Sequence, residues 1–429
     1  MKRSFQIGMS VTLLASACAL SATTYVRPSD NGTISSLVYA GNVEALRALQ
    51  SKSQDPLFRL YIDALVDRAE LRADASATAS RTCYDKAIDK STNIVLAAAC
   101  AELTAGTLSI QGRRAERDAF AKSARSRIYP LLSDQLKRPD IAIRSLEGDA
   151  GPAKQSAFRV EHPPKSTVAW ANPGELPAGG RYLSVTSKGR SVVALFDTGN
   201  QRTILNQSDA KALGARDERN VVVTMPSAEG LPKSVKGSVA VLPSIGIGDV
   251  QLENVEVFVT DVPMSVVGLD LILRIYGAFK LDDKGLHPYD ARRSTCALGN
   301  LDMGGHADGI GVGLVAKLLV NDRWQSVFVD TGNSDTLDDH TPPSSDPAQA
   351  SSIVEATTLA GRSRQHFGWS QMTLSSDSKP FTVTVRQVDS PKTLANYVLG
   401  NGFLASGALD FNLQGHSLCL TDSLHGSTQ

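Results

Sequence analysis

The sequence predicts an α-helical N-terminal domain followed by a mainly β region in which one unit occurs twice, so that the second part is bilobal. Three observations carry this expectation. From about Ile34 to Leu136 the chain is rich in Ala, Leu, Arg and Asp and poor in Gly and Pro. Between Gly148 and Gly180 the stretches "GDAGP", "EHPPK" and "NPGELPAGG" collect residues that break helices and strands. Beyond Gly180, short runs such as "RYLSV", "SVVALF", "NVVVTM", "VEVFV" and "FTVTV" alternate with Gly and Pro, the pattern of strands and turns.

Within the first part, Leu57, Leu60, Tyr61, Ala64 and Leu65, then Ala97, Cys100, Ala101 and Leu103, recur at helical spacing. Four or five helices packed as antiparallel hairpins are expected, without a clear 34-residue repeat signature. The division that follows is 1–22 as a signal peptide, 23–147 helical, 148–180 linker, 181–295 as the first β lobe and 296–429 as the second. At 429 residues and 42% hydrophobic, the chain is long enough for about three domains.

Lys2 and Arg3 precede an apolar stretch from Ile7 to Leu14 and small residues through Ala22, the layout of an export signal. That stretch is shorter than the roughly 20 residues needed to cross a bilayer, and no later segment reaches that length. Cleavage sites are available after Ala17, Ala19 and Ala22. "LASAC", ending at Cys18, also resembles a bacterial lipoprotein signal, with Ala15 where Leu is usual, so a lipid anchor at Cys18 stays open. A periplasmic or secreted location is expected in either case.

Export makes the remaining cysteines candidates for disulfides. Local position favours Cys83 with Cys100 and Cys296 with Cys419; buried free thiols are the alternative. Lys plus Arg and Asp plus Glu both total 44, so net charge draws the chain to neither nucleic acid nor anionic lipid. No metal-ligand spacing is present, and neither metal nor cofactor is expected. "GIGVGLV", Gly309 to Val315, lacks the ending of a phosphate loop and leads into a strand pattern. Arg113, Arg114, Arg117, Arg125 and Arg127 form a basic face expected to be solvated helix surface.

The duplication is the informative feature. "SVVALFDTGNQRT" places Asp197, Thr198, Gly199 and Asn200 after an apolar strand, and "QSVFVDTGNSDT" places Asp330, Thr331, Gly332 and Asn333 likewise, an offset of 330 − 197 = 133. Lys188–Gly189 and Asn321–Asp322 mark a hairpin turn before each copy, again 133 apart. Downstream, "VVGLD" with Val266, Val267 and Gly268 answers "VLGNG" with Val398, Leu399 and Gly400. A single Asp-Thr-Gly is only what a tight turn prefers; two, with matched partners on both sides, are an internal repeat.

From about Arg181 to Leu420 this pattern resembles the aspartic peptidases, with the retropepsin-like lobe present twice in one chain as in pepsin-like enzymes. The resemblance implies an aspartic-protease fold of two facing lobes, catalytic Asp197 and Asp330 at the cleft floor, and a threonine interlock between Thr198 and Thr331. It further implies a turn built by Gly199, Asn200, Gly332 and Asn333, and a brace behind it from Val267, Gly268, Leu399 and Gly400. Asn200 and Asn333 depart from the small residue usual after Gly; each amide either donates to a catalytic carboxylate or stabilises the turn. "GLD" with Asp270 matches the bacterial branch, and "GNG" with Asn401 does not.

Flaps are expected at Thr224 to Ser238 and Leu359 to Trp369, and an extra surface loop at Asp338 to Ser352. The implied activity is endopeptidase hydrolysis of a peptide or protein substrate. The helical domain is left as a partner-binding module, a presenter of substrate, or an inhibitory pro-segment that masks the cleft. The competing reading is an inactive exported scaffold that binds peptides and acts through its helices.

Overall fold

A computed structural model of the chain describes residues 33–89, 93–131, 158–226, 232–296, 298–341, 352–358, 361–376, 379–388 and 394–422. The expected export signal and Cys18 lie outside these residues, as do 342–351 of the expected surface loop, 227–231 and 359–360 of the expected flaps, and 148–157 of the expected linker.

Six helices are present among the described N-terminal residues, more than the four or five expected: α1 (Ile34–Tyr39), α2 (Val43–Lys52), α3 (Pro56–Ala69), α4 (Ala73–Ile88), α5 (Ile94–Ile110) and α6 (Arg114–Ile128). Local chemistry sets their starts. Thr33 caps α1, Asn42 caps α2, and Asp55 accepts from the backbone of Leu57 and Phe58 with Pro56 in the first turn of α3. Three residues connect α1 to α2, α2 to α3, α3 to α4 and α5 to α6, short enough for consecutive helices to pack side by side. Helix α5 is apolar on nearly every side, burying Ala97, Ala98, Cys100, Ala101, Leu103 and Leu108 among its neighbours, and its small residues let the other helices approach closely. A disulfide joins Cys83 of α4 to Cys100 of α5. Of the basic face, Arg114 and Arg117 are largely covered and pair with Asp118, while the more exposed Arg113 pairs with Asp74 and Glu116.

The strands follow in chain order: β1 (Arg159–His162), β2 (Val168–Ala169), β3 (Tyr182–Ser187), β4 (Arg190–Phe196), β5 (Ile204–Asn206), β6 (Arg216–Pro226), β7 (Pro232–Ile247), β8 (Val250–Thr260), β9 (Ser265–Val267), β10 (Ala278–Leu281) and β11 (Gly285–Pro288). The second copy supplies β12 (Leu301–Gly304), β13 (Gly313–Val320), β14 (Arg323–Val329), β15 (Leu337–Asp339), β16 (Ser352–Thr358), β17 (Gly361–Ser375), β18 (Phe381–Val388), β19 (Tyr397–Leu399), β20 (Ala408–Asn412) and β21 (Ser417–Thr421). Short helices α7 (Gln207–Leu213) and α8 (Leu269–Ile275) belong to the first copy. The fold is mainly β after a helical N-terminal region.

Strand pairing is duplicated as well as sequence. In the first copy β3 pairs with β4 and β7, β4 runs parallel to β9, and β5 lies antiparallel to β9 and parallel to β8. In the second, β13 pairs with β14 and β17, β14 runs parallel to β19, and β15 lies antiparallel to β19 and parallel to β18. Lys188 and Gly189, then Asn321 and Asp322, all have positive φ (48°, 75°, 47° and 60°), so the β3–β4 and β13–β14 hairpins turn in the manner that matches strand twist.

A third sheet, in the order β2-β11-β10-β20-β21, joins strands from both copies. Its centre is the antiparallel pair β10–β20, where Phe279 stacks on Phe411 with ring centroids 4.7 Å apart. Phe196, the last residue of β4, meets Phe279 edge-on at 6.2 Å. Cys296 and Cys419 form a second disulfide. Two stretches within the expected linker are strands: Arg159–His162 pairs with β8 and Val168–Ala169 with β11, each completing the edge of a sheet. The expected surface loop begins with a strand instead, since Leu337–Asp339 is the buried β15.

One compact unit comprises the helices together with Met303–Val312; the other comprises Gln155–Asp302 and Gly313–Gln429. Among the described residues no helix is long and apolar enough to cross a membrane.

Glu102, on α5, is the clearest electrostatic liability of the helical unit. Burial, with the nearby Asp308 carboxylate adding to it, raises its carboxyl from 4.5 to about 8. Across that interval the folded unit holds a proton that the unfolded chain has released. The stabilisation is therefore complete below about pH 4.5, declines as pH rises and is gone above about 8. Glu102→Gln removes the dependence: calorimetry should show a variant more stable than wild type by on the order of 5 kcal/mol near pH 9, with little difference near pH 4.

Candidate active site

Each Asp-Thr-Gly sits where a buried strand ends. β4 and β14 end in three consecutive buried apolar residues, Ala194–Phe196 and Val327–Val329, and the parallel strands β9 and β19 hold these last residues in place. The backbone N–H of Asp197 donates to Val267 O at 3.1 Å, and that of Asp330 donates to Leu399 O at 2.9 Å. The expected brace residues therefore receive the first peptide of each turn. Gly268 and Gly400 follow, and neither has room for a side chain: an added Cβ would lie 2.3 Å from the Arg202 carbonyl carbon or 2.1 Å from Asp335 O.

The two turns are locked to each other by four hydrogen bonds. The Thr198 hydroxyl donates to Val329 O at 2.8 Å and accepts from the Thr331 N–H at 3.1 Å. The Thr331 hydroxyl donates to Phe196 O at 3.1 Å and accepts from the Thr198 N–H at 3.0 Å. Both threonines are buried, at 0% and 1% exposure, so each hydroxyl is the sole escape from an unpaired peptide group.

Glycine then admits the opposite carboxylate. A Cβ on Gly199 would stand 2.2 Å from Asp330 Cγ, and one on Gly332 would stand 2.4 Å from Asp197 Cγ. Asp197 Oδ1 accepts from the N–H groups of Gly199 (2.8 Å) and Asn200 (3.0 Å); Asp330 Oδ1 accepts from Gly332 (2.9 Å) and Asn333 (3.2 Å). The carboxyls also hydrogen-bond to one another. Burial pushes both above the ordinary carboxylate range, against the pull of the backbone donors. Two such groups in contact retain one proton between them, which supplies an acid and a base at one point.

The asparagines after Gly serve their turns. Asn333 Oδ1 accepts from the Asp335 N–H, and its Nδ2 donates to Asp338 Oδ2 at 2.8 Å. Asn200 Oδ1 accepts from the Arg202 N–H at 3.4 Å, while its buried Nδ2 has no hydrogen-bond partner. Behind each turn the support differs. Asp270 Oδ1 accepts from both the N–H and the hydroxyl of Thr203, and that hydroxyl accepts from the Gly268 N–H. In the second copy Arg386 reaches from β18 to Asp335 and, through two nitrogens, to Asp338. Asn401 donates to Thr331 O at 2.8 Å.

Sequence reasoning missed the Asp335–Asp338–Arg386 group. Asp338 was expected in a surface loop, and the available signal was one long cation, Arg386, within the alternating run "FTVTVRQV". The expected flaps correspond to the hairpins β6–β7 and β16–β17. Among the described residues no cluster of His, Cys, Asp and Glu has the arrangement of a metal site.

The description "aspartyl protease" belongs to the family model that matches residues 183–273, from β3 through Asp197 and the Val266–Gly268 brace into α8. No curated protein matches the chain. Among solved structures, basic 7S globulin from soybean is similar at 12% identity, covering 61% of this chain and 97% of that one, with a TM-score of 0.37. The match to the aspartyl protease family thus falls on the first of the two copies.

Removing the Thr198 hydroxyl strands Val329 O and the Thr331 N–H. Each buried unpaired group costs about 1–3 kcal/mol. Thr198→Val should therefore destabilise the β unit by about 2–6 kcal/mol in denaturant titration, and Thr198→Ser, which keeps the oxygen, should recover most of the loss.

Proposed function

We propose that the protein is an aspartic endopeptidase in which Asp197 and Asp330 activate a water against a peptide bond. The observation that carries the reading is the interlocked pair of turns, which bring the carboxyls of buried Asp197 and half-buried Asp330 to the same point. The aspartyl protease match over residues 183–273 supports the same chemistry.

The mechanism follows from one proton shared by two carboxyls. The ionised member takes a proton from the water as its oxygen attacks the scissile carbonyl carbon. The protonated member gives its proton to the carbonyl oxygen, so a neutral tetrahedral diol forms without a buried oxyanion. Collapse returns one diol proton to the dyad while the dyad protonates the leaving nitrogen, and the C–N bond breaks. Water is consumed, an acid and an amine are released, and the dyad ends with its single proton. Gly199, Gly332 and the two threonines keep the carboxyls at the separation this exchange needs.

The substrate is a peptide bound extended, with the β6–β7 and β16–β17 hairpins as flaps. Two disulfides fit a protein that works in an oxidising compartment, and export to the periplasm or the outside is the proposed location. Asn200 and Asn333 act as turn formers in this scheme and leave the proton transfers to the aspartates.

Cleavage of a mixed peptide library, followed by mass spectrometry across acidic to neutral pH, tests the proposal. Wild type should cut, and Asp197→Asn and Asp330→Asn should each lower kcat by at least about 1,000-fold. Because both carboxyls are shifted upward, the rate should decline on the alkaline side as the shared proton is lost, and on the acidic side as both carboxyls become protonated. Cutting that survives either substitution would mean that the dyad is not the catalyst.

A further inference from the structure

The segment Met303–Val312 leaves β12 and returns at β13, yet it forms part of the helical unit. Arg68 of α3 explains how it is held. Its side chain is almost completely buried, at 2% exposure, and its guanidinium donates to three consecutive carbonyls of that segment: His306 O at 2.7 Å, Ala307 O at 3.0 Å and Gly305 O at 3.3 Å. A planar, permanently charged fork can serve several acceptors at once, which an ammonium cannot do with the same geometry.

The remaining contacts are equally close. The Gly305 N–H donates to Tyr39 O at 3.0 Å, the His306 ring lies 4.9 Å from the Tyr39 ring, and Ala307 packs on the helical core. Gly106 on α5 lets the segment touch the helix backbone, since a Cβ there would stand 2.4 Å from the Asp308 carbonyl carbon. Gly309, at φ +80°, meets Gly106 from the other side, where an added Cβ would fall 2.7 Å from Gly106 O. The hydrogen bonds of the Arg68 guanidinium go to main-chain carbonyls, and the closest packing of the site lies at Gly106 and Gly309.

We propose that the helical unit is a retained clamp on Met303–Val312, so that cutting the chain within 132–157 yields a two-chain protein whose helical fragment stays bound. This assigns a cis peptide site to the helices and separates them from a pro-segment that leaves after one cut. The proposal does not depend on the catalytic reading.

The experiment uses the full chain with a site-specific protease sequence inserted near position 150. After complete cutting, confirmed on a denaturing gel, the two fragments should co-elute in size-exclusion chromatography and remain together on dilution to nanomolar concentration. Arg68→Met and Gly106→Leu should each raise the concentration at which the cut fragments separate by at least about 100-fold, taking the loss of a buried charged donor set as more than two tenfold steps. Separation of the cut wild-type fragments at micromolar concentration would overturn the proposal. So would variants that hold together as tightly as wild type. Should the variants fail to fold, hydrogen exchange on uncut wild type decides: protection of the Gly305 amide comparable to that of α3 and α5 supports the clamp, and exchange within seconds overturns it.

Discussion

The exchange of hydroxyls between Thr198 and Thr331 is the constraint on which the β unit depends. Each threonine satisfies two peptide groups at the end of the opposite copy's strand, so neither turn can be completed alone. Because both side chains are buried, water cannot replace a missing partner, and the lock either forms whole or leaves several unpaired groups. The separation of the carboxyls is thus fixed by the backbone of two strands. The same strands stand on the Phe196, Phe279 and Phe411 stack, whose rings tie the turns to the sheet shared by both copies.

That rigidity bears directly on charge. Brought together by Gly199 and Gly332, Asp197 and Asp330 experience burial and each other at once, and both carboxyls shift upward. In an open site the same residues would ionise independently and offer two bases. Here the backbone N–H donors of each turn stabilise negative charge while burial and the neighbouring carboxyl hold Asp330 well above the ordinary carboxylate range, so the two groups titrate as a pair. Their coupling is a product of spacing more than of residue identity.

The sequence revealed this part well because repetition does not depend on tertiary context. Offsets of 133 residues at the turns and the Asp-Thr-Gly triplets survive any folding, and the strand pairing repeats them element by element. Other features were legible only in three dimensions. Asp338 followed by "DHTPPSS" reads as loop, yet Leu337 anchors it in a buried strand where Arg386 can reach it across the sheet. Val168–Ala169 is too short to show alternation, and it becomes a strand because β11 offers an unpaired edge. Arg68 resembles any surface cation on an amphipathic helix; its burial depends on three carbonyls about 240 positions further along.

The two copies agree at the turn and diverge behind it. In the first, Thr203 passes a hydrogen bond from Gly268 to Asp270, a compact relay between neighbouring residues. In the second, Asn401 holds Thr331 O directly while Arg386 ties Asp335 and Asp338 together, and Asp338 fixes the amide of Asn333. One framework uses a hydroxyl and a carboxylate, the other an ion-pair group, and both leave Gly268 and Gly400 in contacts too tight for a Cβ. Divergent supports beneath matching geometry indicate what the fold must keep: the turn, its glycine and the threonine exchange are fixed by each other, whereas the groups behind them need only fill space and satisfy the remaining donors.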